Sequence, residues 1–430
     1  MHAPIKLAVL GAGSRATGLC SNLTAMSHRV VVSAVAEPRA MQRERFCAEH
    51  GVPQSGQFES WQAFFDAPRS VDAVLVATMD SDHLEPALRV LESGYHLLLE
   101  KPMAPRLEDV RAIYEAAVGA QKAHHTIAGV VHPLRFGPGF QGLKRVLDSG
   151  AIGTVVTLDH LEGIGWWHFA HSYVRGNWSR TAASSFALLA KSCHDVDYLC
   201  YLIGSPVARV SSFGSLSWFR EENAPVQSTE RCIDCPLEPS CPYSAVRWYL
   251  ETERNQWPAS VVSQDHSRES HSRALANSSF GRCVWRAGND AVDHQTVSFE
   301  FANGITATMT MTAFSQEVAR RTRVHGSEGE IEFDQESMTV RSFHNGDVSR
   351  RTFGNISGSH AGSDRYILDS FLQAIEKGDQ SLLSTTMGES LTTHALTFAA
   401  EQARLEGTVV EVPAFMQSNG IAPNWPQHLL

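Results

Sequence analysis

Hydrophobic and polar positions along this chain follow two periods. Short apolar runs at 6–10, 30–36, 73–77, 95–99 and 126–131 end in Gly-, Ser- or charge-rich turns and read as buried strands. Between them, apolar residues recur at helical spacing over 82–93 and 107–118, and Leu19, Leu23 and Met26 do so after the first run. That alternation predicts βαβ units and a parallel sheet. The second half differs. A strand at 155–161 leads to a helix at 186–203, striped with Leu188, Leu189, Val196, Leu199 and Leu202 and stopped by Gly204-Ser205-Pro206. After a strand at 207–213 and a long irregular stretch, alternating runs at 297–301, 305–311, 320–325 and 330–333 predict an open antiparallel sheet. Helices at 364–376 and 385–405 are expected to close that second unit, and the tail 413–430 to wrap the surface or a neighbouring subunit.

The first apolar run enters Gly11-Ala12-Gly13-Ser14-Arg15-Ala16 directly. Gly11 permits the tight turn, Gly13 has no side chain to block a pyrophosphate, and Ala16 lets the helix pack on the strand, with the helix N-terminus facing the anion. The second strand ends in Glu37, 26 residues beyond Gly11, near the spacing of about 20 at which an acid holds ribose hydroxyls. NAD is therefore favoured; Arg39, two residues on, leaves NADP open by offering a partner for a 2′-phosphate. The fold expected is α/β: an N-terminal Rossmann domain at 1–131, doubly wound around a parallel sheet, and a C-terminal α/β domain at 132–430 with an open, largely antiparallel sheet and a Cys-rich insertion at about 215–290.

Composition narrows the function classes. At 430 residues the chain has room for two or three full cores. A net charge of −10 argues against a nucleic-acid partner, and no apolar run approaches the roughly 18 residues of a membrane span. The N-terminus has no signal-peptide pattern, so a cytoplasmic location is expected, where the eight cysteines would be thiols or metal ligands.

The glycine turn, the segment Ala77-Thr78 to His83 and the tripeptide Glu100-Lys101-Pro102, all at ends of successive strands, resemble the glucose-fructose oxidoreductase, inositol dehydrogenase and MocA family. The resemblance implies an NAD(P)-dependent oxidoreductase and a homo-oligomer. It places Lys101 beside nicotinamide and substrate, lets Glu100 and Pro102 shape the turn, and sets Thr78 and His83 along the cofactor. The candidate cofactor residues are Gly11, Gly13, Ser14, Arg15, Glu37, Arg39, Thr78, Asp80, His83, Glu100 and Lys101. An amine at Lys101 suits a group that hydrogen-bonds a secondary hydroxyl while hydride leaves its carbon, the alternative being a fixed cation that only orients substrate.

Two further patches carry chemistry. The stretch 165–178 is dense in aromatic, His and Arg residues, which suits sugar rings that stack on aromatics and offer hydroxyls; Trp166, Trp167, His168, His171 and Arg175 are its candidate substrate contacts. The other reading is an aromatic plug between subunits. On the 186–203 helix, Lys191, His194 and Asp195 share one face. The family usually carries an Asp four residues before this His; here Ala190 holds that position and Lys191 sits beside it. Lys101, His194 and Lys191 are the catalytic candidates. A second cation beside Lys101 favours an anionic sugar, with Arg175 and Arg180 as further partners for its acid group, unless Lys191 pairs with Asp195.

The expected reaction is hydride transfer at a secondary hydroxyl of a sugar, polyol or glycoside. The alternative is an NAD-dependent glycosidase that oxidises, eliminates and re-reduces, for example on a sulfonated sugar. Cys232-x2-Cys235-x5-Cys241, with Cys283 later, has zinc-ligand spacing, and a structural zinc held by these four cysteines would supply a core the insertion otherwise lacks; unliganded thiols or three cysteines plus a histidine remain alternatives. Asp293 and His294 are expected either to reach the active site or to bond the insertion.

Overall fold

The computed structural model describes residues 3–353 and 359–422. Its first sheet is parallel, with strands β1 (Ile5–Leu10), β2 (Val30–Ala36), β3 (Gln57–Phe58), β4 (Ala73–Val76), β5 (His96–Leu99) and β6 (Ala128–Val130) in the order β3-β2-β1-β4-β5-β6. Every residue of β4 is buried, as a strand covered by helices on both faces requires. The order reverses between β1 and β4, and the carboxyl ends of strands at such a switch point are where ligands of this fold bind.

The second sheet has nine strands: β7 (Val155–Gly163), β8 (Val207–Ser215), β9 (His294–Phe301), β10 (Thr306–Thr312), β11 (Ala319–Gly326), β12 (Gly329–Phe333), β13 (Ser337–Ser342), β14 (Val348–Thr352) and β15 (Val409–Glu411). They run in the order β14-β13-β12-β11-β7-β10-β9-β8-β15, and only the β7–β10 pair is parallel. β7 and β11 lie side by side at its centre, Glu162 opposite Arg320 and His160 opposite Thr322. This register brings together two strands more than 150 residues apart in sequence, and the site depends on it.

The lobes share a core. Leu97, Leu99 and Val130 of the first sheet pack in one cluster with Leu188 and Leu199 of the helix Ala187–Ile203, Phe299 of β9 and Leu396 of the helix Met387–Glu406. The helix Asp364–Lys377 departs from expectation. Its Ile367, Leu368 and Phe371 bury against Val9, Leu19 and Val35, so it covers the first sheet and returns the chain to the nucleotide-binding lobe. The insertion also differs from expectation: Ala245, Tyr249, Leu250, Ala259, Val262 and Leu275 give it a small core of its own. The tail turns into the helix Val412–Ser418, and 423–430 lie outside the described residues. Among the described residues no helix is long and apolar enough to cross a membrane.

Candidate active site

At the end of β1, Gly11 has φ +85°, and a side chain there would meet the Ala77 carbonyl oxygen at 2.6 Å, at the start of the loop after β4. Only glycine fits. The missing Cβ of Gly13 faces open space, its nearest neighbour being the Arg39 guanidinium at 3.8 Å. Glu37, buried at the end of β2, accepts from the Ala12 N–H at 2.9 Å and from Arg39 at 2.7 and 2.9 Å. Burial pushes this carboxyl up, but the hydrogen bonds and charge of Arg39 and the Ala12 N–H outweigh it, and the net effect is a lowered pKa. A turn that admits a pyrophosphate and an ionised acid at the next strand end fit a dinucleotide.

The loops after β4 and β5 are pinned to each other and to the second lobe. His83, fully buried, bridges the Pro102 carbonyl at 2.8 Å and the Thr78 carbonyl at 3.2 Å, while the Thr78 hydroxyl donates to the Asp82 carbonyl. Asp80 accepts from the Trp178 indole at 2.9 Å and the Ser185 hydroxyl at 2.9 Å, which docks the lobes. Glu100 takes the Lys101 N–H at 3.0 Å and the Arg15 guanidinium at 2.5 Å, and Arg15 also pairs with Asp364.

Lys101 extends from this turn across the crevice, and its Nζ donates to the Ala190 carbonyl at 2.6 Å, one helical turn ahead of His194. Its charge is felt by His132, His168, Lys191 and His194. Lys191 pairs with Glu162 at 3.1 Å. Arg320, from β11, lies 3.0 Å from the other Glu162 oxygen and 2.5 Å from Asp195, and reaches His194 Nε2 at 2.6 Å. His160 closes the network, bonding Asp195 at 3.1 Å and the Thr322 hydroxyl at 2.9 Å. Burial drives His194 well below the ordinary imidazole range; Asp195 opposes this, and Arg320 and Lys101 add to it. The ring is neutral. Burial likewise lowers Lys191, with Glu162 opposing.

Two family models cover most of the chain: an oxidoreductase family with an NAD-binding Rossmann fold over residues 5–127, and the family's C-terminal α/β domain over 144–412. The chain belongs to the Gfo/Idh/MocA oxidoreductase family. It is 21% identical over 315 residues to the putative oxidoreductase YteT of Bacillus subtilis, covering 69% of this chain and 71% of that one. To the levoglucosan dehydrogenase of Pseudarthrobacter phenanthrenivorans it is 28% identical over 176 residues, 41% of this chain and 42% of that one. In structure it is similar to a levoglucosan dehydrogenase in complex with NADH and levoglucosan, at TM-score 0.71 and 18% identity, over 95% of this chain and 99% of that one. An oxidoreductase from Agrobacterium radiobacter, in complex with NAD+, L-tartaric acid and magnesium, matches at TM-score 0.69 and 17% identity over 95% and 99%.

Within this Gfo/Idh/MocA chain the structure sorts the residues singled out from sequence. Gly11, Gly13, Glu37 and Arg39 meet at the first turn, with Ser14 opening its helix. The side chains of Arg15, Asp80 and His83 are engaged by Glu100 and Asp364, by the second lobe, and by two backbone carbonyls respectively. Lys191 pairs with Glu162 and not with Asp195.

Much of the aromatic stretch packs against the insertion. Trp166 packs on Tyr243, Trp167 stacks on Trp248 at 5.2 Å, and His171 bonds the Tyr249 hydroxyl at 2.8 Å. Arg175 is buried on the Arg282 and Tyr243 carbonyls and the Cys232 sulfur. Arg180 is exposed. His168 stays near the catalytic group: burial lowers its pKa, with Lys191, His171 and Lys101 adding to the effect, and its Nδ1 lacks a partner among the described residues.

The zinc expectation is also corrected. Cys232, Cys235, Cys241 and Cys283 line one cavity with Arg175, yet among the described residues no three His, Cys, Asp or Glu side chains are grouped to hold a metal ion. The insertion's own apolar cluster supplies the core that zinc was expected to replace. Asp293 accepts from the Ser217 and Trp218 N–H groups and from His294, so this pair secures the start of the insertion.

Sequence reasoning missed Glu162, His160 and Arg320. The signal was there: His160 and Glu162 share inward parity with Leu158 on β7, and Arg320 shares it with Val324 on β11. Charged residues at core parity on half-buried strands mark a polar site.

Proposed function

We propose that this chain is an NAD-dependent dehydrogenase that oxidises a secondary hydroxyl of a neutral sugar or polyol. The observation that carries the reading is the reach of Lys101 from the turn after β5 to the Ala190 carbonyl, which sets an amine from one lobe one helical turn from His194 of the other. Gly11, Gly13 and Glu37 would hold the cofactor, which when bound supplies the hydride acceptor. The step starts from the neutral amine of Lys101, whose Nζ lone pair accepts the hydrogen bond of the substrate hydroxyl and receives its proton as the C–H bond is broken. His194 and His168 contact the ring oxygens, and the covered lobe interface keeps water from competing.

The substrate class follows from charge balance. An anionic ring was attractive while Lys191 stood unmatched; Glu162 now answers Lys191 and Asp195 answers Arg320. A neutral hydroxyl-rich ring suits such a pocket better than a sulfonate or carboxylate. The relatives' printed activities, levoglucosan dehydrogenase and scyllo-inositol 2-dehydrogenase, are of this kind. The test is a panel of neutral sugars, inositols and anhydrosugars with NAD, each beside its sulfonated or carboxylated counterpart, following reduced nicotinamide and any freed aglycone together. One reduced cofactor per neutral substrate oxidised is expected. Faster turnover of the anionic counterparts would overturn the substrate class, and aglycone release without net reduced cofactor would replace oxidation by redox-neutral glycoside cleavage.

Cofactor choice rests on Glu37 and Arg39. With Glu37 holding the Arg39 guanidinium, NAD is the expected cofactor. Glu37→Ala removes the acid and frees that guanidinium for a 2′-phosphate. The ratio of kcat/KM for NADP to that for NAD should rise about 10- to 100-fold, the worth of one charged hydrogen bond gained or lost. An unchanged ratio would remove Glu37 from the ribose site. We also propose assembly into a homo-oligomer through the uncovered face of the nine-stranded sheet, where Thr306, Arg321 and Arg323 are exposed.

A further inference from the structure

We infer that Arg320 is a positioning residue that fixes the tautomer of His194, so that this imidazole donates a hydrogen bond to the substrate oxygen and leaves the proton-accepting role to Lys101 alone. The inference deepens the reading above and rests on it.

A guanidinium can only donate. His194 Nε2 faces both Arg320 Nη2 at 2.6 Å and Asp195 Oδ2 at 3.2 Å; the nearer group can only donate, and both Asp195 oxygens already accept from Arg320, so that nitrogen presents its lone pair and the ring proton sits on Nδ1. Arg320 cannot rotate away. Its Nε is held by Asp195 Oδ1 at 2.5 Å, its Nη2 lies 3.2 Å from Asp195 Oδ2, Glu162 Oε2 lies 3.0 Å from Nε, and the side chain is only 7% exposed. Asp195 is fixed in turn by His160. At the other edge of the ring, His194 Nδ1 is buried and has no partner among the described residues. A buried N–H without an acceptor is costly, and a substrate oxygen would satisfy it.

Burial keeps the ring neutral; of the charged and titratable groups that face it, Arg320 and Lys101 add to that effect and Asp195 opposes it. Those groups are Asp195 on its own helix, Arg320 from β11, Lys101 from the turn after β5, and His360, whose ring lies 5.4 Å away and which burial brings down to about 4. In the oxidation, the hydroxyl proton passes to the Lys101 amine, hydride with its electron pair passes to the nicotinamide cofactor, and the carbonyl oxygen formed keeps the Nδ1–H hydrogen bond. No proton passes through His194.

Nitrogen-15 NMR of the full-length protein labelled at histidine reads the tautomer without turnover, the His194 signals being those lost in His194→Asn. A neutral ring protonated at Nδ1 is expected between about pH 6 and 8, the range over which a free imidazole would titrate. A proton on Nε2, or an imidazolium in that range, would overturn the inference. Kinetics supply the second readout. Asn keeps an N–H donor but cannot accept a proton, so His194→Asn should hold kcat within about tenfold and keep the wild-type acid limb, while His194→Leu falls much further. Equal losses in the two variants would make His194 the base. If no substrate reduces the cofactor, the dehydrogenase reading fails, and the NMR result still decides the tautomer.

Discussion

Lys101→Met should lower kcat by roughly 10²- to 10⁴-fold while NAD affinity and the unfolding midpoint stay near the wild type. Methionine keeps the length and most of the apolar stem but can neither hold nor receive a proton. The folded state loses little, because among the described residues Lys101 Nζ makes one hydrogen bond, to the Ala190 carbonyl. Dinucleotide affinity is expected to persist because the glycine turn and Glu37 lie at the ends of β1 and β2, away from Lys101. Lys101→Arg should rescue poorly: it restores the cation, but a guanidinium stays protonated and cannot receive the hydroxyl proton. The measurement is steady-state turnover beside a cofactor titration. A loss of less than about tenfold in kcat would reduce Lys101 to a cation that only orients the ring.

Arg135→Met should cost about 3–5 kcal/mol of stability, the usual penalty for orphaning one partner of a buried ion pair. Arg135 grips both oxygens of Asp197 at 2.6 Å, donates to the Ser384 carbonyl at 2.8 Å and reaches Glu389 at 3.3 Å, with side-chain exposures of 4% for Arg135 and 1% for Asp197. It ties the turn after β6 to the helix carrying His194 and to the start of the helix Met387–Glu406. Removing it strands Asp197 without a counter-charge. The double variant Arg135→Met with Asp197→Leu should recover much of the loss, since two apolar groups of similar size avoid desolvating a lone charge. Urea denaturation of the single and double variants checks both statements, and a single-variant loss below about 1 kcal/mol would mean that water reaches Asp197.

Local pattern made much of this protein legible. Five of the six strands of the first sheet end within a residue or two of their expected bounds, because fully buried parallel strands are unbroken apolar runs flanked by turn residues; the two-residue β3 had no such run and was not expected. The glycine turn, Glu37 and Lys101 were equally readable, since each sits at a fixed offset from a strand end. Errors gathered where a side chain's partner is distant in sequence. The aromatic stretch has the composition of a sugar-binding loop, and only the tertiary structure shows Trp166, Trp167 and Arg175 in contact with the insertion. The cysteine spacing suggested a metal because the insertion's scattered Tyr249, Leu250 and Leu275 gave no periodic sign of a core.

By itself, then, the order of residues determined two lobes, a dinucleotide turn, and a lysine following a buried strand. Tertiary structure decided the electrostatics. Whether Lys191 is a spare cation, and which nitrogen of His194 carries a proton, depend on Glu162 and Arg320 facing each other across β7 and β11. That pairing is a matter of strand register between distant segments, and a charge in a low-dielectric interior takes its meaning from the group beside it in space.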